Sequence, residues 1–136
     1  MKIIIFMLII FFSLHSLEAR IAIVIGKNST HTINKNDIKK IFIGEKQNWA
    51  NGNKVIVVTQ YNTITGKSFS KHYLNIEVYK LLLIWEKLVL SGQINRQIKC
   101  KDDDDVKQEV NKHKDRVGYI DASKVDGSVK VLLYIN

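Results

Sequence analysis

The sequence predicts an α/β layered domain, and three observations point to it. Ile21–Ile25 and Val55–Val58 are short continuous apolar runs, the pattern of strands buried on both faces. Helical periodicity separates such runs, most clearly in Glu77–Leu90, and interleaved strands and helices indicate layered α/β architecture. There is no internal repeat, no proline and no linker, so one domain is expected.

In chain order, Ile21–Ile25 is the first strand, ended by Gly26. Asn34 or Asn36 can cap a helix whose Ile38, Ile41 and Phe42 share one face, with Gly44 placed to stop it. Asn51-Gly52 marks a turn before the second strand, Val55–Val58. Gln60–Ser68 reads as a polar, Thr-rich loop leading into a helix from about Lys67 to Leu74. In Glu77–Leu90, Val78, Leu81, Leu82, Trp85, Leu88 and Val89 make one apolar face, while Leu83, Ile84 and Leu90 lie off it. Ile94–Lys101 gives no clear pattern. Asp102–Asp105 starts a helix, with carboxylates where the helix dipole favours them and Val106 and Val110 turned inward. Val117–Ile120 and Val129–Ile135 are the last strands, divided by a turn at Asp126-Gly127.

The first residues bear on compartment. Lys2, an apolar run over Ile3–Leu14, and small residues ending at Ala19 form the pattern of a cleavable secretory signal, so a periplasmic location is expected. The run is too short to cross a bilayer as a helix, for which about 20 residues are needed. An uncleaved anchor is the alternative, and Leu17 is bulky for its place before the junction. Cleavage after Ala19 takes 19 of 136 residues and leaves the charge at +8, because Lys2 and Glu18 leave together.

Cys100 is the only cysteine, so no internal disulfide forms and the core must hold the fold alone. A charge of +8 attracts anions, acidic partners or anionic headgroups. It can equally reflect a Lys-rich solvated surface. No basic stripe with interleaved aromatics is present, so nucleic acid is not an expected partner.

Three segments, taken in order, resemble the second lobe of the phosphate-binding proteins that serve ABC uptake systems. They are Ile38-Lys39-Lys40-Ile41-Phe42-Ile43-Gly44 with Trp49 and Asn51-Gly52; Val55–Val58, a polar loop, then Phe69 and Tyr73-Leu74; and Val117-Gly118-Tyr119-Ile120. The resemblance implies a three-layer single lobe of a type II periplasmic binding protein, a mixed sheet flanked by helices. In that family an Arg, an Asp and a Ser-Gly-Thr step surround the anion. Here Gln60 stands near the Arg and Asn62 near the Asp, replacing charges by neutral amides. Thr63, Thr65, Gly66, Lys67 and Ser68 keep the hydroxyl-plus-amide character. The family's other lobe is missing, so closure of two lobes on a ligand is not available.

Gln60, Asn62, Thr63, Thr65, Gly66, Lys67 and Ser68 are therefore the candidate anion site, a loop feeding a helix N-terminus with Lys67 adding positive charge. Thr and Ser before a helix also serve as ordinary caps. The Asp102–Asp105 run lacks the spacing, the central Gly and the distal Glu of a calcium loop. His31, His72 and His113 are expected at the surface, Trp49 and Trp85 in packing. No nucleophile setting or metal-ligand spacing is present, so the expectation is a binding protein rather than an enzyme, with no cofactor and no metal. Two functions stay open. One is a solute-binding-like protein taking a small, phosphate-like anion. The other is a ligand-free accessory or sensor module for an inner-membrane protein, with the greasy 78–90 helix covering that partner or a second copy of the chain.

Overall fold

The computed structural model describes residues 20–136, and the expected export signal at 1–19 lies outside the described residues. Five strands, β1 (Ile21–Gly26), β2 (Ile56–Thr59), β3 (Ile98–Lys99), β4 (Arg116–Asp121) and β5 (Val129–Ile135), form one sheet in the order β3-β2-β4-β1-β5. Four α-helices accompany them, α1 (Lys35–Phe42), α2 (Ile64–Ser68), α3 (Val78–Leu90) and α4 (Asp103–Val110). The sheet is mixed. β1 runs antiparallel to both β4 and β5, whereas β2 is parallel to β4 and β3.

All six residues of β1 are buried, which is why its sequence is apolar without interruption. Its side chains alternate between two cores. Ile21, Ile23 and Ile25 join one with Ile38, Phe42, Phe69, Leu81 and Trp85, beneath α1, the segment after α2, and α3. Ala22 and Val24 join the other with Val58, Ile120, Val106 and Val110, beneath α4. Helices on both faces of one sheet make the three layers that the apolar runs predict.

Local chemistry explains most boundaries. Asn34 is the α1 cap, its Oδ1 accepting from Asn36 N at 3.0 Å. α1 ends where Gly44 adopts φ +81°, a left-handed turn that glycine enters without strain. Asp102 caps α4, its Oδ1 accepting from Asp105 N at 2.8 Å, with Asp103, Asp104 and Asp105 in the first turn as the dipole argument requires. In α3 the predicted face is the one turned inward: Leu81 and Trp85 are buried and Val78, Leu82, Leu88 and Val89 half-buried. Leu83, Ile84 and Leu90 are exposed.

Two expectations need correction, and one segment without a clear pattern gains a strand. α2 begins at Ile64, three residues before the predicted Lys67, because Thr63 caps it. Ile98–Lys99 within the segment without a clear pattern is an edge strand, anchored when Cys100 N donates to Thr59 O at 2.7 Å. His31 is not a surface residue. Its Nε2 lies 2.7 Å from Asp115 Oδ1, and its ring stacks on Trp49 with centroids 4.1 Å apart. His72 and His113 are exposed.

Candidate functional site

The candidate loop follows β2 at its carboxyl end, next to the end of β4, the position where open α/β sheets hold ligands. Its seat is aromatic. Directly after α2 the chain forms a π-helical segment, Phe69–Leu74, and Phe69 stacks on Tyr119 of β4 with centroids 4.0 Å apart. Phe42 of α1 meets both rings edge-on, at 5.0 and 5.6 Å. The helix start is thereby fixed against the sheet.

The seven candidate residues divide into two groups. Gln60, Thr65 and Gly66 are buried and face the protein. Gln60 is fully satisfied internally: its Nε2 donates to Asp103 Oδ1 at 2.7 Å and to Tyr119 O at 3.0 Å. Its backbone N–H donates to the Tyr119 hydroxyl at 3.3 Å. Gly66 has no room for a side chain, because a Cβ there would lie 1.8 Å from Gln60 O. Asn62 and Lys67 are exposed, and Thr63 and Ser68 are half-buried.

Thr63 is the cap as well as a candidate. Its Oγ1 accepts from Gly66 N at 2.9 Å and gives its single hydrogen to Gln60, whose O and Oε1 lie at 2.9 and 2.8 Å. Its carbonyl accepts from Lys67 N at 3.0 Å. Of the first-turn amides, Ile64 N and Thr65 N have no partner among the described residues. What the turn offers an anion is therefore the amide of the exposed Ile64 and that of the buried Thr65, with the exposed Asn62 side chain and the Lys67 charge beside them.

Sequence reasoning missed the residues behind the loop. Asp103 accepts from Gln60 Nε2 and from Asp121 N at 3.2 Å, so one carboxylate oxygen ties the loop, α4 and the end of β4 together. Tyr119 and Thr59 add a bond between hydroxyls at 3.0 Å. Burial drives the Tyr119 phenol upward in pKa, which keeps it neutral and able to donate. Tyr61 is likewise pushed up by burial, although Gln97 hydrogen-bonds its hydroxyl. The signal for Asp103 was an acidic run that also reads as a helix start, and nothing in it distinguishes the bracing residue.

No protein-family model matches the chain, and no curated protein matches it at a significant level. Solved structures do, and two among them are phosphate-transport proteins. One is an ABC-type phosphate transport receptor from Vibrio cholerae, with TM-score 0.62 and 20% identity over 85% of this chain and 47% of that one. The second is a phosphate ABC transporter substrate-binding protein with bound phosphate from Clostridium perfringens, with the same TM-score, identity and coverage of this chain, and 45% of its own. At this identity the likeness establishes the fold. This chain spans about half the length of either.

Elsewhere the chemistry is sparse. Among the described residues no group of three or more His, Cys, Asp or Glu could hold a metal ion. Cys100 is buried, and burial with the nearby Asp105 and Glu109 charges pushes its thiol up to about 12, far from a reactive thiolate. No helix among the described residues is long and apolar enough to cross a membrane.

Proposed function

We propose that this chain is an exported, solute-binding-like module that takes phosphate or a similar small anion weakly at the first turn of α2. One observation carries the reading: the first-turn amides of Ile64 and Thr65 have no partner among the described residues, at the carboxyl end of β2, in a fold shared with two phosphate-transport proteins. The neutral Gln60 faces inward and Asp103 stands behind it, so Lys67 supplies the formal attraction. One open face excludes little water, which keeps the affinity low. An export signal over residues 1–19 places the module in the periplasm.

Isothermal calorimetry and thermal shift with millimolar phosphate or sulfate test this. With a Kd near 1 mM, 10 mM ligand stabilises the native state by about 1.4 kcal/mol. The melting temperature then rises by roughly 4–8 °C. Lys67→Ala should reduce that shift. No heat, a flat melting curve and an unaltered Lys67→Ala protein would remove the anion reading.

A second reading has its own support. Ile64 is 87% exposed at the first position of α2, an apolar side chain where a protein partner rather than an anion gains most. On this reading the chain is an accessory or sensor module for an inner-membrane protein. Charging that position, Ile64→Asp, would then abolish co-purification of the partner, and neither the parent nor the variant would bind phosphate.

A further inference from the structure

The outward face of α3 combines apolar projection with positive charge. At about 100° per residue, Tyr79, Leu83 and Leu90 fall within roughly 40° of one another on the helix. They are 61%, 57% and 74% exposed. Lys80 and Lys87, both exposed, border this stripe on one side, and Lys80 Nζ lies 5.9 Å from the Tyr79 ring centroid. At the amino end the surface continues into a shallow depression formed by Lys67, Lys71, Glu77, Val78 and Tyr79. Four lysines thus adjoin three projecting apolar side chains. On the far border Glu86 is held by Arg96 at 3.3 Å, which offsets its charge.

We infer that this face docks on an anionic lipid surface, with α3 lying in the plane of the headgroups. Charge is the first argument. The chain carries +8, and four lysines outweigh Glu77 and the Arg96-paired Glu86 around the stripe, so anionic headgroups complement it. A second copy of the chain does not, because symmetric pairing on this face brings the same lysines together. Width is the second argument. A helix seated in a protein groove presents an apolar stripe about 100° wide or more. A stripe of roughly 40° reaches a flat interface but cannot fill a groove. Side-chain type is the third. Tyr sits at headgroup level, Leu enters the acyl boundary, and Lys extends its ammonium back to phosphate.

Residues 20–136 contain the whole five-stranded sheet and both cores, and they lack the apolar 3–14 run, so they are the protein to test. Co-sedimentation is measured with vesicles of equal phosphatidylglycerol and phosphatidylcholine, and with phosphatidylcholine alone. Each lysine at an anionic surface is worth about fivefold in partitioning, so omitting phosphatidylglycerol should weaken binding by about 100-fold or more. Leu83→Asp with Leu90→Asp, and separately Lys80→Ala with Lys87→Ala, should each weaken it about tenfold or more. These positions are exposed, and unchanged melting curves confirm that the variants fold. Lys67 adjoins both this face and the proposed anion turn, but no variant touches residues 60–68, so the two readings fail separately. Equal binding to both vesicle types, or no binding, overturns it. So does displacement by inorganic phosphate at constant ionic strength, which places a headgroup in the α2 turn instead. A dimer in sedimentation velocity that Leu83→Asp with Leu90→Asp dissolves also overturns it, in favour of a second copy.

Discussion

Gly66→Ala separates two forces that act in opposite directions at the α2 turn. Gly66 has a helical backbone, so intrinsic propensity favours alanine there by about 0.8–1.0 kcal/mol. Space forbids it. The added Cβ would lie 1.8 Å from Gln60 O, 2.7 Å from Gln60 C and 3.1 Å from Tyr61 Cα. All three are backbone atoms, and Gln60 cannot retreat, because its side chain is bonded to Asp103 and Tyr119 and it is 0% exposed. Relief requires α2 to lift from the loop, which disturbs the Thr63 cap and the Phe69–Tyr119 stack. Overpacking of this kind costs about 1–3 kcal/mol, and a contact this short belongs at the upper end. For a domain of this size that lowers the melting temperature by roughly 8–15 °C. Differential scanning calorimetry reads it, with Gly127→Ala as comparison, where a Cβ meets nothing within 4 Å. That variant should be neutral or gain up to about 1 kcal/mol. If Gly66→Ala melts at or above the parent temperature, the close approach of α2 to Gln60 is wrong, and with it the inward placement of Gln60.

Two further perturbations probe the frame around the site. Asp115 is pushed up by burial, but hydrogen bonds from His31 and Asn53 and the charges of His31 and His113 outweigh this and hold its carboxyl below the usual range. A depressed folded-state pKa contributes stability above the unfolded value of about 4, and that contribution is lost as pH falls through the folded value. Asp115→Asn should therefore lower the melting temperature at neutral pH, by a margin that narrows below about pH 4. A margin constant from neutral to acid would show that ionised Asp115 is not favoured by folding. Trp85→Phe removes the Nε1 donor 2.8 Å from Phe42 O at the end of α1. The orphaned buried carbonyl should cost about 1–3 kcal/mol in urea unfolding, whereas Leu90→Ala, 74% exposed, should stay within about 0.5 kcal/mol. Equal effects at the two positions would contradict the assignment of the inner face.

The fold was legible wherever burial dictated composition. β1 must be apolar at every position because both its faces are covered, and α3 must alternate because one of its faces is not. A cap at Asn34 or Asn36 and a helix start at Asp102–Asp105 were readable because short polar side chains there perform a local task, and the caps are Asn34 and Asp102. β3 was not readable: two residues at a sheet edge hold their place by backbone hydrogen bonds, which any side chain permits. The start of α2 was misplaced because Ile-Thr-Gly reads as loop by propensity, while the Phe69–Tyr119 stack and the Thr63 cap supply the stability that propensity withholds. The candidate site was legible in position but not in orientation. Gln60 and Lys67 are both polar residues of the same segment, yet one is drawn inward by Asp103, 43 residues away, and the other remains in solvent. Long-range pairing of that kind leaves no periodic trace. His31 was misread for the same reason, since its partner Asp115 lies 84 positions on.

The sheet order has a consequence for how the chain is made. β1 pairs on one side with β4, Ile21 opposite Asp121, and on the other with β5, Gly26 opposite Val129. Both neighbours are synthesised about 100 residues after it, a delay of roughly 5–20 s at ordinary translation rates. Throughout that interval the uncharged segment Ile21–Gly26 has neither edge satisfied, and it carries the composition that assembles into intermolecular β-structure. High contact order also slows the closing step itself. The burden of keeping this protein out of aggregates therefore falls on whatever escorts the nascent chain, and the vulnerable stretch is its first strand.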